Sequence, residues 1–140
     1  MYYLDSCVCI DFMRGKTPKL YELFQQCDPA RFAIPAIVLA ELETGMSKSK
    51  HPQQMQRVLH GFLKPFAIVP FDEACASELG RLRARLEGSG TVIGAYDMLI
   101  AAMARANNAT LVTNNVREFL RVPELELETW QVVSLSELTA

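Results

Sequence analysis

Short apolar runs stand singly along this chain, and stretches of helical period separate them. Tyr2–Leu4, residues 31–34, Ala67–Val69 and Thr110–Val112 read as buried strands, with 131–133 a weaker fifth. Between them, Ser6–Met13, 18–26, 36–46, Pro52–Leu63, 72–87 and 97–106 carry helical patterns; Pro18 and Pro52 mark starts, Gly15 a stop and Asp72 a cap. Leu79, Leu82 and Leu86 form one apolar stripe, and 97–106 is almost wholly apolar. Single strands alternating with helices imply a parallel sheet covered on both faces. Right-handed crossovers then bring the strand C-termini to one edge, where sites in such sheets lie. Asp5 and the run Thr113-Asn114-Asn115 both follow strands onto that edge.

The 140 residues are expected to form one domain, 1–140, with half the residues hydrophobic and 21% charged. Asp5, Asp11 and Arg14 interrupt the N-terminus before any useful apolar stretch, so no secretory signal is expected. The longest low-charge stretch, 88–104, contains Asp97 and is no membrane span. Cys7, Cys9, Cys27 and Cys75 lack zinc spacing and read as small buried hydrophobes of a cytoplasmic protein. His51 and His60 have no nucleophile or orienting acid at a recognisable spacing. A net charge of −2 gives no overall basic signature, so any nucleic-acid surface must be local or partly supplied by a partner chain.

The acids carry the chemistry. Asp5 ends one apolar run, Asp97 opens another, and Glu41 stands between Ala40 and Leu42. An acid at the edge of a buried segment is costly unless something cationic faces it. Each has a plainer use: Asp5 as a helix N-cap, Glu41 as a half-exposed helix residue, and Asp97 as a partner of the helix dipole. Asn115 and Glu118 have the spacing of a capping box. Alternatively Glu118 is a fourth acid, with Thr113 or Asn115 supporting the cluster through a hydroxyl or amide. Asp5, Asp97 and the segment after the fourth strand converge on one edge in a parallel sheet, and Glu41 can reach it. Carboxylates so gathered repel one another unless a divalent cation neutralises them, and an all-oxygen set favours Mg²⁺ or Mn²⁺.

Four segments occur in a telling order: Tyr3-Leu4-Asp5-Ser6-Cys7-Val8-Cys9-Ile10-Asp11, Ile34-Pro35-Ala36 leading to Ala40-Glu41-Leu42-Glu43-Thr44-Gly45, Tyr96-Asp97-Met98-Leu99-Ile100-Ala101-Ala102, and Leu111-Val112-Thr113-Asn114-Asn115-Val116-Arg117-Glu118-Phe119. Together they resemble the PIN-domain nucleases, and most closely the VapC toxins of bacterial type II toxin–antitoxin modules. The resemblance runs through Leu127-Glu128-Thr129-Trp130. It implies a three-layer α/β/α sandwich around a parallel sheet of four to five strands. It also carries Asp5, Glu41 and Asp97 over as the acidic core. The family's fourth acid falls where Asn115 stands or near Glu118; Asn115 is neutral, so Glu118 takes that place. Cys7 stands where the family often has Asn, while Ser6 keeps the hydroxyl.

The implied reaction is endonucleolytic hydrolysis of RNA, with tRNA the foremost target. Asp5 and Asp97 are expected to ligate the metal directly, and Glu41 and Glu118 to position water or complete a second site. The lack of an activated Ser, Cys or His fits a route with no covalent intermediate. Arg81, Arg83 and Arg85, with Lys48, Lys50 and Arg57, are the densest basic groups, and Arg81 and Arg85 are the candidate phosphate contacts; the plain alternative is a solvated face on which Glu78 pairs with Arg81. Tyr21, Phe24, Met55, Leu59 and Phe62 supply apolar bulk for a partner or for ordinary core. The resemblance implies a homodimer, a VapB-like antitoxin seated in a groove and a larger assembly of the two. Two other classes compete. A phospho-acceptor module wants adjacent acids and a late lysine, whereas the last lysine is Lys64. A PIN-like scaffold that binds RNA or protein with little or no cleavage is the other.

Overall fold

The computed structural model of the chain describes residues 1–15, 22 and 24–130. In chain order the elements are β1 (Tyr2–Leu4), α1 (Ser6–Met13), β2 (Phe32–Pro35), α2 (Ala36–Ser47), α3 (Pro52–Leu63), β3 (Ala67–Val69), α4 (Glu73–Ser89), α5 (Ala95–Ala106), β4 (Thr110–Val112), the short α6 (Val116–Phe119) and β5 (Leu127–Glu128). The strands form one sheet in the order β3-β2-β1-β4-β5, and every neighbouring pair is parallel.

Successive residues of a strand point to opposite faces. Both Tyr3 and Leu4, both Ala33 and Ile34, and both Leu111 and Val112 are buried, so helices cover the three central strands on each side. That is the expected three-layer architecture. The edge strands are less enclosed: Ile68 of β3 and Glu128 of β5 are exposed. Within the core, α1 packs on α2 and α3, and α4 lies along α5. Helix α5 is the most enclosed, with Met98 and all of 100–104 buried. On α4, Leu82 and Leu86 are buried and Leu79 half-buried, as the stripe predicts.

Local signals fix the ends. Asp72 caps α4, its Oδ1 accepting from Cys75 N at 3.0 Å. Pro52 opens α3, and Gly90, at φ 69°, ends α4 in the left-handed conformation that glycine adopts without strain. Several boundaries differ from expectation, α2 and α4 by one or two residues. β2 runs one residue later, through Pro35, and α5 begins at Ala95, which places Asp97 in its first turn rather than at its start. The fifth strand is Leu127–Glu128; the stretch 131–133 lies outside the described residues. Of the helix expected over 18–26, residues 22 and 24–26 are helical and the rest lies outside the described set.

The strand order places β1 and β4 side by side at the centre, where the connections leave in opposite directions along the sheet. A crevice opens at the C-terminal ends of two such strands. Asp5 and Thr113 are the first residues beyond those ends.

Candidate active site

Asp5 is where strand becomes helix. Its N–H continues the ladder to Val112 O at 3.0 Å, and its backbone then turns into α1. Oδ1 accepts from Ser6 N at 2.8 Å, capping the helix. Oδ2 accepts from Thr113 Oγ1 at 2.6 Å, a short charge-assisted bond across the β1–β4 junction. Asp5 is 4% exposed and Thr113 fully buried. The cap and the site are therefore one residue using two oxygens. Thr113 Oγ1 also accepts from Asn115 N at 3.0 Å, so a single hydroxyl ties Asp5 to the turn that carries the next residues.

Asp97 and Glu118 meet across that turn. Glu118 Oε1 accepts from Gly94 N at 2.9 Å, and Oε2 accepts from Asn115 Nδ2 at 3.0 Å. The same amide lies 3.4 Å from Asp97 Oδ2. Asn115 makes no side-chain cap on α6, so the capping-box alternative does not describe it. Its amide faces the acids instead. Burial, then the charge of Asp5, then contact with Glu118 and the charge of Glu41 push the Asp97 carboxyl up to about 7. Glu118 moves the other way, held low chiefly by the Gly94 N–H and the Asn115 amide.

Glu41 reaches the same notch from α2. Its carboxyl is raised by burial and by the charge of Asp5, and a hydrogen bond from the Ser6 side chain opposes that rise. Glu41 Oε1 is buried without a hydrogen-bond partner. A buried carboxylate oxygen left bare costs free energy that nothing in the protein returns. Asp97 thus feels Asp5, Glu41 and Glu118, and Glu41 feels Asp5, with Ser6, Thr113 and Asn115 as their supports.

The other sequence candidates are placed as follows. Arg81 is engaged elsewhere: its Nη2 donates to Glu78 Oε2 at 2.7 Å, and Arg105 holds the other oxygen at 2.9 Å. Arg105 lies eight residues, or about 12 Å of helix, beyond Asp97, so this pairing sits toward the far end of α5. Arg85 is exposed on α4. Cys7 is half-buried rather than core, with Sγ 3.5 Å from Asp5 Oδ2 and accepting from Asn114 N at 3.4 Å. Leu59 and Phe62 are buried core, Phe24 and Met55 half-buried, and Tyr21 lies outside the described residues.

Sequence reasoning missed several neighbours. Asn114 Nδ2 donates to Asp11 Oδ2 at 3.0 Å, a second link from α1 to the turn after β4. Gly94 supplies a backbone N–H to Glu118. Arg121, one turn past Glu118, is the cation whose charge acts on it; helical spacing from Glu118 was the signal available for it.

Residues 2–125 match the PIN domain family. This chain is a PIN-domain protein of the VapC ribonuclease family. It is 45% identical over 134 residues to ribonuclease VapC2 of Rickettsia felis, covering 93% of this chain and 98% of that one. It is 35% identical over 129 residues to the tRNA(fMet)-specific endonuclease VapC of Salmonella typhimurium, covering 92% and 97%. In three dimensions it matches the crystal structure of Rickettsia felis VapBC2 bound to a DNA fragment from their promoter, with a TM-score of 0.87 and 42% identity over 92% of this chain and 98% of that chain.

The donor set fits a hard divalent cation. It is all oxygen, it includes the bare Oε1 of Glu41, and its members raise the proton affinity of Asp97 as uncompensated acids do. Among the described residues no three acid, histidine or cysteine side chains close into a ready cage. A cation that keeps several waters and binds through one or two carboxylates does not need one.

Proposed function

We propose that this chain is a Mg²⁺-dependent endoribonuclease, with Mn²⁺ a possible substitute, and the toxin of a type II toxin–antitoxin module. Its substrate is a translation-related RNA of the tRNA class, and a VapB-type antitoxin neutralises it. The observation that carries this reading is the convergence of Asp5, Glu41, Asp97 and Glu118 at the β1–β4 crevice, with one buried oxygen left bare. The name of the Salmonella relative supports tRNA as the target, and the VapBC complex from Rickettsia felis supports the antitoxin partner. Among the described residues no helix is long and apolar enough to cross a membrane, and a cytoplasmic site of action follows from the proposed substrate. A homodimer that joins the antitoxin in a larger assembly belongs to the same proposal.

Asp5 and Asp97 would hold the cation. When bound, it acidifies water and offsets charge on the phosphate oxygens. The Thr113 hydroxyl and Ser6 N–H keep the Asp5 oxygens fixed. Glu41, its proton affinity raised by burial and by the charge of Asp5, positions the attacking water and accepts its proton. Gly94 N and the Asn115 amide hold the Glu118 carboxylate in place beside Asp97, the second residue that would hold the cation. No side chain needs to form a bond to phosphorus.

The test is cleavage of labelled tRNA by the purified chain in Mg²⁺, in Mn²⁺ and in EDTA, with Asp5→Asn as control. Cleavage should need a divalent cation and should be lost in Asp5→Asn, a change that keeps a good helix cap. Activity persisting in EDTA or in that variant overturns the metal-nuclease account. For the biological role, induced expression should arrest growth, and co-expression of the neighbouring small open reading frame should restore it.

A further inference from the structure

An acid notch repels the polyanion it is meant to cut. A cation in the notch offsets charge at the scissile phosphate, but the adjoining phosphates need a positive group of the protein's own. The dense basic stretch on α4 does not supply it at the notch. Arg81 is bound to Glu78, whose other oxygen Arg105 of α5 holds, and Arg83 pairs with Glu87 at 2.8 Å.

Arg121 is placed differently. It follows α6 and is exposed. Its Nη1 donates to Val92 O at 3.2 Å, on the loop that leads into Gly94, and Gly94 N in turn holds Glu118. The guanidinium is therefore tethered to the rim of the notch, and its charge is felt by Glu118. One donor is used by Val92. A guanidinium has five, and the others can take two oxygens of one phosphate in a fork. The tether also removes rotamer freedom before the RNA arrives, which lowers the entropic cost of binding.

We propose that Arg121 is a substrate-binding residue, gripping an RNA phosphate next to the one cleaved and setting which bond enters the notch. The inference rests on the nuclease function proposed above and adds a subsite to it. Arg121 acts in binding the ground state and the transition state alike, so its loss should raise KM and leave kcat nearly unchanged.

The experiment has two arms. In the first, a non-cleaving Asp5→Asn chain binds a labelled single-stranded oligoribonucleotide across a KCl series at fixed Mg²⁺. Adding Arg121→Gln should weaken binding about tenfold and flatten the slope of log K against log salt by about 0.7, the share of one phosphate contact. Arg121→Lys should recover the slope with part of the affinity, and Arg57→Gln on α3 should leave both unchanged. In the second arm, the cleaving chain is assayed with and without Arg121→Gln for the KM rise. An unchanged slope, an effect shared equally with Arg57→Gln, or a fall in kcat with KM constant overturns the assignment; the last would make Arg121 a prop for Glu118. A parent chain that cleaves no RNA refutes the nuclease function itself, whereas cleavage with an indifferent Arg121 refutes the subsite alone.

Discussion

Replacing Asp97 by Asn should make the metal-free protein more stable while destroying its activity. Asp97 is raised from the ordinary 3.8 to about 7 by burial and by its acidic neighbours. A carboxyl with a folded pKa above its unfolded one holds its proton more tightly in the folded state. Folding stability therefore falls as pH rises from about 4 to about 7, and the loss is complete above that window. Glu118 works in the opposite sense, adding stability above its ordinary range that is lost in acid, but it is too open to water to weigh much. At about 1.4 kcal/mol per unit the Asp97 shift corresponds to roughly 4 kcal/mol, and solvent screening of this half-buried group cuts that to about 2. For a chain of this size 1 kcal/mol moves Tm by about 3 °C, so the expected gain is about 6 °C. Circular-dichroism melts in EDTA at pH 5 and pH 8 read this directly. The parent should lose Tm between the two pH values, Asp97→Asn should not, and Mn²⁺ should restore the parent at pH 8 without helping the variant. Identical pH dependence in the two proteins, or an Asn variant less stable at pH 8, would refute the electrostatic reasoning.

Glu41→Gln should reduce RNA cleavage at least about a hundredfold, the usual worth of a positioned proton acceptor, with the metal-free melt unchanged or raised; a fall in Tm would point to a structural role. Thr113→Val removes the 2.6 Å bond to Asp5 and strands the Asn115 N–H, so urea titration should show a loss of about 2 kcal/mol together with weaker metal binding. Glu78→Gln leaves Arg105, 16% exposed, with only the exposed Glu124 at 4.0 Å as counter-charge and should cost about 3 kcal/mol in the same titration. Cleavage measured well below its melting temperature should be unaffected, which separates that ion pair from the notch.

The parallel sheet was legible because its central strands are enclosed on both faces and read as short, mostly apolar runs between helical stretches. β5 was not, since two residues at a sheet edge, one of them exposed, carry almost no pattern. Asp5 and Asp97 stood out as acids beside apolar runs that burial would punish. Glu41 was harder, because α2 has no clean polar side, and the order of motifs carried it more than its own periodicity. What holds the acids in place was invisible: Thr113 meets Asp5 across 108 residues and Asn114 meets Asp11 across 103, and no local spacing announces either. Arg81 and Arg85 stood out by charge alone. Charge density along α4 suggested phosphate contacts, while the i,i+3 partner of Arg81 was already written in Glu78; the bond from Arg121 to Val92 O, 29 residues away, had no local signal.

The most direct measurement is Mn²⁺ binding to the purified chain, followed by electron paramagnetic resonance and calorimetric titration at pH 8. Bound Mn²⁺ that Mg²⁺ displaces is the expected result, with affinity greatly reduced in Asp5→Asn and in Asp97→Asn and unchanged in Glu78→Gln. A chain that cleaves RNA while binding no Mn²⁺, or one whose Asp5 and Asp97 variants bind it as well as the parent, would contradict the claim that these acids are gathered to hold a cation.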